Sequence, residues 1–217
     1  MTRRQPVSHL RGTDSFRRKP GGKAPRSVTL IVCEGETEEA YFEAARIKYG
    51  LTTAEVILAE NTIGAAPISV VRCAEARCAE PGGYDRIFCV FDRDGHESFD
   101  RARARIKTLG KRKKKPLPIQ EAISIPCFEY WVLLHHARTD APLHRCADAE
   151  DQVRNHMSGY EKADAAIARQ LMARVDVALG NANWVEGRAQ DNDYNPYTSV
   201  HHVLEHFAKV AIPGKKS

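Results

Sequence analysis

The stretch Val28-Thr-Leu-Ile-Val-Cys-Glu-Gly-Glu-Thr-Glu-Glu39 decides the fold. Its first six residues form a short run of β-branched and apolar side chains, which is typical of a buried strand. Gly35 breaks that run, and a helix is expected from about Thr37. Glu34 therefore lies where a strand ends and turns into a helix, which is the place where open α/β sheets bind their ligands.

A second carboxylate follows closely. Glu38 comes four residues after Glu34, so that it can face the same cleft from the first turn of the helix. Two carboxylates beside a glycine turn suggest a site for a hard cation. Acidic side chains at a helix start also have a purely structural explanation, because they complement the positive end of the helix dipole. This stretch alone favours the structural explanation.

Another predicted strand also ends in acids. Residues 87–91 are apolar, and Asp92 and Asp94 follow them. Side chains two apart in an extended chain point to the same side. If the two strands are parallel and close, the four carboxylates converge and repel one another strongly. A divalent metal ion is the simplest way to neutralise them.

These acids sit in motifs that resemble known families. A glutamate after the first strand and Asp-x-Asp after the third resemble the Toprim domain of topoisomerases, primases and OLD-type nucleases. Over a longer part of the chain, the amino-acid sequence is similar to RloB-like proteins. Four motifs carry that similarity in the order of the family: Val32-Cys-Glu-Gly-Glu-Thr-Glu-Glu39, Phe91-Asp-Arg-Asp-Gly-His96, Pro126-Cys-Phe-Glu-Tyr-Trp131 and Asn195-Pro-Tyr-Thr-Ser-Val-His201. The resemblance implies a Toprim-like topology.

The predicted architecture is α/β, with a mainly parallel four-stranded sheet covered by helices on both faces. The expected strands are 28–33, 54–59, 87–91 and 122–125, with helices over 37–49, 68–79 and 99–109 and another from Pro126. No further strand is expected after residue 136, where helices are predicted over 148–157, 161–184 and 198–209. The predicted organisation is a flexible basic arm (1–26), the Toprim-like domain (27–136), a helical extension (137–211) and a tail (212–217).

Positive charge is concentrated in two places. The arm carries eight Lys and Arg residues against one acid, which suggests either phosphate contact or a solubilising tail. A second group of basic residues lies on and after the third helix and is predicted to bind nucleic acid. Its members are Arg101, Arg105, Lys111, Arg112, Lys113, Lys114 and Lys115. A solvent-exposed loop without a ligand would have the same composition.

The acids and the basic groups together predict a metal-dependent nuclease. Clustered carboxylates can hold Mg²⁺, with Mn²⁺ as a substitute, for phosphodiester cleavage. Glu34, Asp92 and Asp94 are the expected core ligands, and Glu38 completes a second ion. Two further residues have open roles. Glu129 is a further ligand, a general base or a helix cap, and His96 contacts the scissile phosphate, transfers a proton or only packs.

The family resemblance extends the functional expectation. It implies a separate ATPase partner, a role in anti-phage defence, and RNA (including tRNA) or DNA as the substrate. A homodimer is also expected. The alternative is a non-catalytic nucleic-acid-binding or regulatory subunit with a structural metal ion.

The remaining composition points to the cytoplasm. No apolar run approaches the roughly 20 residues that a membrane span needs, and the six cysteines show no zinc-like pairing. No membrane contact is therefore expected. His202 and His206 have the i, i+4 spacing of a zinc pair, but with no third ligand evident they are interpreted as core or surface histidines.

Overall fold

The computed structural model describes residues 27–59, 66–189 and 194–211, which form a three-layer α/β fold. The strands are β1 (Thr29–Cys33), β2 (Ala54–Leu58), β3 (Arg86–Asp92), β4 (Ile119–Ile125) and β5 (Tyr197–Thr198). The helices are α1 (Glu36–Lys48), α2 (Pro67–Ala79), α3 (Phe99–Gly110), α4 (Glu129–Leu133), α5 (Cys146–His156), α6 (Ala165–Leu171), α7 (Val175–Glu186) and α8 (His201–Val210). The basic arm (1–26) and the tail (212–217) lie outside the described residues.

The strand order of the sheet is β2-β1-β3-β4-β5. The pairs β1–β2, β1–β3 and β3–β4 are parallel, and β5 pairs antiparallel with β4. The chain first moves from β1 to β2 on one side, and β3 then adds on the other side of β1. This reversal leaves a crevice at the carboxyl ends of β1 and β3, where doubly wound sheets bind ligands.

The two faces of the sheet are covered by different helices. Helices α2 and α3 pack on one face, around residues such as Leu30, Val32 and Phe91. Helix α1 and the helices α4–α8 pack on the other, around Ile31 and Phe88. Both faces are therefore buried, which explains why the strands are continuous apolar runs. The predicted boundary between residues 136 and 137 stays a prediction, and packing across it is continuous.

Aromatic contacts fix α1 against α4. The Tyr41 ring lies edge-on to Phe128 and Trp131, with centroid distances of 5.5 and 6.0 Å. The Tyr41 hydroxyl lies 3.0 Å from His135 Nε2, and His135 Nδ1 lies 3.0 Å from the Trp131 carbonyl oxygen. Because a carbonyl can only accept, Nδ1 is the donor and Nε2 accepts from the tyrosine. Burial lowers the pKa of His135 to about 3, so this link is uncharged.

The α/β fold class and the mainly parallel sheet are confirmed, but the strand count is wrong. A fifth strand, Tyr197–Thr198, pairs with β4 so that Thr198 lies opposite Ser124. The last helix was expected over residues 198–209, and it begins instead at His201. A two-residue strand has no periodicity to detect, and Ser199 is held by β4: its N–H donates to the Ile123 carbonyl oxygen, at 2.9 Å.

The predicted helix over residues 161–184 is also wrong, because it is divided. Asp164 Oδ1 accepts from the backbone N–H groups of Ala166 and Ile167, so α6 begins only at Ala165. A 3₁₀ turn (Met172–Arg174) then separates α6 from α7. The side chain of Arg174 leaves this turn to donate to the His135 carbonyl oxygen at 2.7 Å. Buried residues continue through the break, so the apolar pattern could not show it.

The helix expected from Pro126 begins three residues later, at Glu129. The Pro126 carbonyl accepts from the Asp94 N–H at 3.0 Å, and the Phe128 N–H donates to Asp92 Oδ2 at 2.8 Å. These bonds tie the residues before α4 to the end of β3. Glu129 still lies in the first turn of its helix.

No helix within the three described ranges has the length and apolar character of a membrane span.

The β4–β5 junction generates a stability prediction. Ser199 Oγ accepts from the buried Ile123 N–H at 2.9 Å. Ser199→Ala leaves that donor unsatisfied, so we expect a loss of about 1–3 kcal/mol in the free energy of unfolding, measured by urea denaturation. The control Ser158→Ala, at an exposed position, should change it by less than about 0.5 kcal/mol. Equal stability of the two variants would show that β5 is not anchored by this bond.

Candidate metal centre

Four acidic side chains gather at the carboxyl edge of the parallel sheet. Glu34 follows β1, Glu38 lies in the first turn of α1, Asp92 ends β3 and Glu129 opens α4. Glu34, Glu38 and Glu129 are buried, with exposed fractions of 8%, 6% and 3%. Their elements surround the crevice between β1 and β3, which brings together acids that are up to 95 residues apart in the chain.

Glu34 and Asp92 are joined through the backbone. The Asp92 N–H donates to Glu34 Oε2 at 3.1 Å, and the Glu34 N–H donates to the Val90 carbonyl oxygen at 3.1 Å. Asp92 Oδ2 accepts from the Phe128 N–H. The other oxygen of each carboxylate, Glu34 Oε1 and Asp92 Oδ1, is buried and has no hydrogen-bond partner among the described residues. Buried polar atoms are nearly always partnered, so these two oxygens point to an additional ligand.

The Glu38 carboxylate depends on the glycine of the turn. A Cβ atom at position 35 would lie 2.8 Å from Glu38 Oε2, which is closer than real Cβ contacts. The backbone of Gly35 is extended, with φ −133°, so its conformation alone does not demand glycine. A side chain at position 35 would therefore displace the Glu38 carboxylate from this position.

Glu129 is held by residues that sequence reasoning missed. Lys162 Nζ lies 3.0 Å from Glu129 Oε1 and 2.7 Å from Glu150 Oε1. The Tyr160 hydroxyl donates to Glu129 Oε1 at 3.4 Å. Lys162 and Tyr160 lie between α5 and α6, and no local pattern marks them. The cluster thus has an internal counter-ion beside one of its four acids.

Burial and mutual repulsion shift the pKa values of the acids upward. Burial raises the pKa of Glu38 to about 7, and the charges of Glu129 and Glu34 add to the shift. Burial, followed by the charge of Glu38, raises the pKa of Asp92 well above its usual range. Burial also raises the pKa of Glu34. Such shifts identify a site that is short of positive charge.

Asp94 and His96 lie at the mouth of the cluster. Asp94 is exposed, and its charge contributes to the raised pKa of Glu34. The chain turns at Gly95, where φ is +69°, and the His96 N–H donates to the Arg93 carbonyl oxygen at 2.8 Å. His96 Nε2 lies 3.6 Å from Glu34 Oε1. Asp92 is therefore built into the cluster, and Asp94 and His96 border it from the solvent side.

The four acids are neighbours, but their carboxylate oxygens do not converge on a single ion position. In the part of the chain that the structure describes, no three of these acidic side chains have ligand oxygens that all lie within 4.8 Å of one another. The carboxylates repel one another, and Lys162 holds Glu129 in an ion pair at 3.0 Å.

The basic residues predicted to bind nucleic acid do not surround the acids. The run from Lys111 to Lys115 precedes β4, so it lies near the amino edge of the sheet, opposite the acidic edge. Arg105 and Arg112 are paired with Glu75, at 2.7 and 3.0 Å. Arg101 is exposed on α3. Nucleic-acid binding by this group stays a prediction.

A polar cleft adjoins the acidic edge instead. Its volume is about 480 Å³, and its walls come from the ends of β3 and β4 and from the segment before α5. Arg93 lines it and has no ion-pair partner within the described ranges. Arg145 also lines it and is paired with Asp148 at 2.9 Å. Sequence reasoning missed both arginines, because neither belongs to a basic run.

The motif order and this geometry agree with a family comparison. A family model described as RloB-like protein matches residues 29–207. The chain belongs to the RloB-like protein family. The match runs from the first residue of β1 into α8, so it includes all four acids of this RloB-like protein. Neither the curated proteins nor the solved structures give a significant match to the chain.

The raised pKa of Glu38 generates a prediction about pH. Its value of about 7 in the folded chain exceeds its ordinary value of 4.5, so the folded state binds more protons between these pH values. The free energy of unfolding of the metal-free protein should therefore fall as pH rises from about 4.5 to about 7, by on the order of 3 kcal/mol from this group.

Glu38→Gln should flatten this pH dependence in urea titrations with EDTA present. Glu36→Gln is the matched control, because Glu36 is exposed in the same helical turn and should leave the slope unchanged. If Glu38→Gln keeps the wild-type slope, the pH dependence arises from other groups.

Proposed function

We propose that this RloB-like protein is a divalent-metal-dependent nuclease of the Toprim type, which hydrolyses phosphodiester bonds. The observation that carries the proposal is a pair of buried oxygens, Glu34 Oε1 and Asp92 Oδ1, that accept no hydrogen bond from the described residues and lie within a group of four acids. The donor set is entirely oxygen, which suits Mg²⁺, or Mn²⁺ as a substitute. The residues present therefore fit such an ion.

The protein residues would have distinct roles in this centre. Glu34 and Asp92 would hold the ion through their free oxygens, while the backbone N–H groups of Asp92 and Phe128 orient the two carboxylates. Glu38 and Glu129 would complete the ligand set. When bound, the metal ion supplies a more acidic water and stabilises the leaving oxygen.

Three further residues would act around the ligands. Asp94 would add a ligand from the solvent side. His96 is partly exposed beside Glu34, where it would contact the scissile phosphate or carry a proton. Lys162 would limit the negative charge at Glu129 before the ion and the substrate are bound.

The substrate would enter along the cleft that Arg93 and Arg145 line. A polyanion approaching four carboxylates needs positive charge close to the site, and the arginines bordering this cleft provide it. RNA, including tRNA, or DNA fits this chemistry. The motifs shared with RloB-like proteins support a role in anti-phage defence with a separate ATPase as partner. A cytoplasmic location and a homodimer complete the proposal.

Cleavage assays on the full-length protein test the proposal. The protein is incubated with tRNA, single-stranded DNA or duplex DNA and with Mg²⁺, Mn²⁺ or EDTA, with and without the proposed ATPase partner. We expect metal-dependent cleavage by the wild type. Glu34→Gln and Asp92→Asn should each lower the cleavage rate by orders of magnitude, because a misplaced ion neither acidifies the attacking water nor stabilises the leaving oxygen. Glu36→Gln is the control and should retain wild-type activity.

Two outcomes would contradict the nuclease. Full activity of Glu34→Gln at saturating Mg²⁺ would remove the metal centre from the reaction. Binding without cleavage under every condition would instead support a non-catalytic nucleic-acid-binding subunit.

The path of the substrate is tested separately, in an Asp92→Asn background that binds without cleaving. Arg93→Gln should reduce the salt slope of binding by roughly 0.7–0.9, as expected for one lost phosphate contact. Arg105→Gln is the comparison, because Arg105 lies on α3 and is paired with Glu75. A reduced slope in Arg105→Gln together with an unchanged slope in Arg93→Gln would place the nucleic acid on the α3 face.

A further inference from the structure

A second group of potential metal ligands lies away from the acidic edge. It consists of Glu186 near the end of α7 and of His201 and His202 at the start of α8. Each histidine Nε2 atom lies 3.2 Å from Glu186 Oε2. Among the residues described by the structure, this is the group of three whose ligand atoms all lie within 4.8 Å of one another.

The two nitrogen–oxygen separations agree with those between ligands of a tetrahedral ion, and the two nitrogens lie within 4.8 Å of each other. Zinc binds imidazole nitrogen and carboxylate oxygen at about 2.0–2.2 Å, so two ligand atoms of a tetrahedral site lie about 3.3 Å apart. A distance of 3.2 Å is at the long end of the range for direct N–H···O hydrogen bonds. One carboxylate oxygen placed at this distance from two imidazole nitrogens is therefore the arrangement expected of zinc ligands.

The surroundings of the group orient its donors. The Tyr197 hydroxyl donates to Glu186 Oε1 at 3.3 Å, and this oxygen also lies 3.2 Å from His202 Nε2, so both carboxylate oxygens face the group. His201 is fully buried, so its imidazole is held in place by the surrounding core. His202 and Glu186 are partly exposed, so an ion has access from solvent.

We propose that Glu186, His201 and His202 bind one Zn²⁺ ion, with water in the fourth position. Two imidazole nitrogens and one carboxylate oxygen favour zinc over Mg²⁺. The ion would join α7 to α8 and, through Tyr197, to β5. Because Asn195 precedes β5 and lines the polar cleft, the site would fix one wall of that cleft.

The i, i+4 pair suggested by the sequence does not form this site. His206 Nε2 lies 2.9 Å from Thr29 Oγ1, and its ring lies 5.5 Å from that of Phe88. His206 is on the same helix as His202 but faces the sheet. It is therefore the matched control for a histidine substitution on α8.

Metal titration of the untagged full-length protein, in excess Mg²⁺, tests the proposal. We expect one Zn²⁺ per chain by calorimetry, and Co²⁺ absorption of a tetrahedral site without thiolate charge-transfer bands. Glu186→Gln and His202→Gln should each weaken zinc binding by about 100-fold or more. Both residues are partly exposed, so the variants should fold, which thermal melting checks. His206→Gln and Asp92→Asn should bind zinc as the wild type does.

Several results would overturn the proposal. Absence of zinc binding by the wild type is one, and unchanged binding by Glu186→Gln and His202→Gln is another. Loss of binding in His206→Gln would assign the ion to the i, i+4 pair, and loss in Asp92→Asn would assign it to the acidic cluster. Because the zinc titration does not measure cleavage, its outcome is independent of the proposed nuclease activity.

Discussion

The parallel pairing of β1 with β3 is the constraint on which the site depends. In this register Cys33 lies opposite Val90, so Glu34 and Asp92 leave the sheet at neighbouring positions of the same edge. The Asp92 N–H then binds the Glu34 carboxylate directly. Helices α1 and α4 begin at this edge and add Glu38 and Glu129. A shift of the register would separate Glu34 from the N–H group that orients it.

Such a cluster opposes folding, and other interactions offset it. Buried like charges raise one another's pKa values and cost stability at neutral pH. Backbone N–H donors from Asp92 and Phe128, together with the Lys162 ammonium group, reduce that cost. The aromatic contacts of Tyr41 with α4 hold the helices that carry two of the acids. The site is therefore a buried acidic cluster at the edge of a core that is large enough to tolerate it.

The short strand β5 connects features that are distant in sequence. It extends the sheet beside β4, and the residue two positions before it, Asn195, lines the polar cleft. Its Tyr197 hydroxyl donates to Glu186, which also contacts the histidines of α8. The helical part of the chain is thus fastened to the sheet close to the acidic edge, and it contributes Lys162 to that edge as well. Residues from the sheet and from the helical part of this RloB-like protein thus meet at the acidic edge.

The sequence by itself determined the α/β class, the four main strands and the acids at their ends. Apolar runs, glycine turns and family motifs are local signals, which can be recognised without knowledge of the fold. The structure alone decided that Lys162 faces Glu129, that Arg93 borders the cleft, and that Lys111–Lys115 lies at the opposite edge of the sheet. Only the structure revealed strand β5 and the break between α6 and α7. These features depend on strand direction and on contacts between residues far apart in the chain, and no local pattern encodes them.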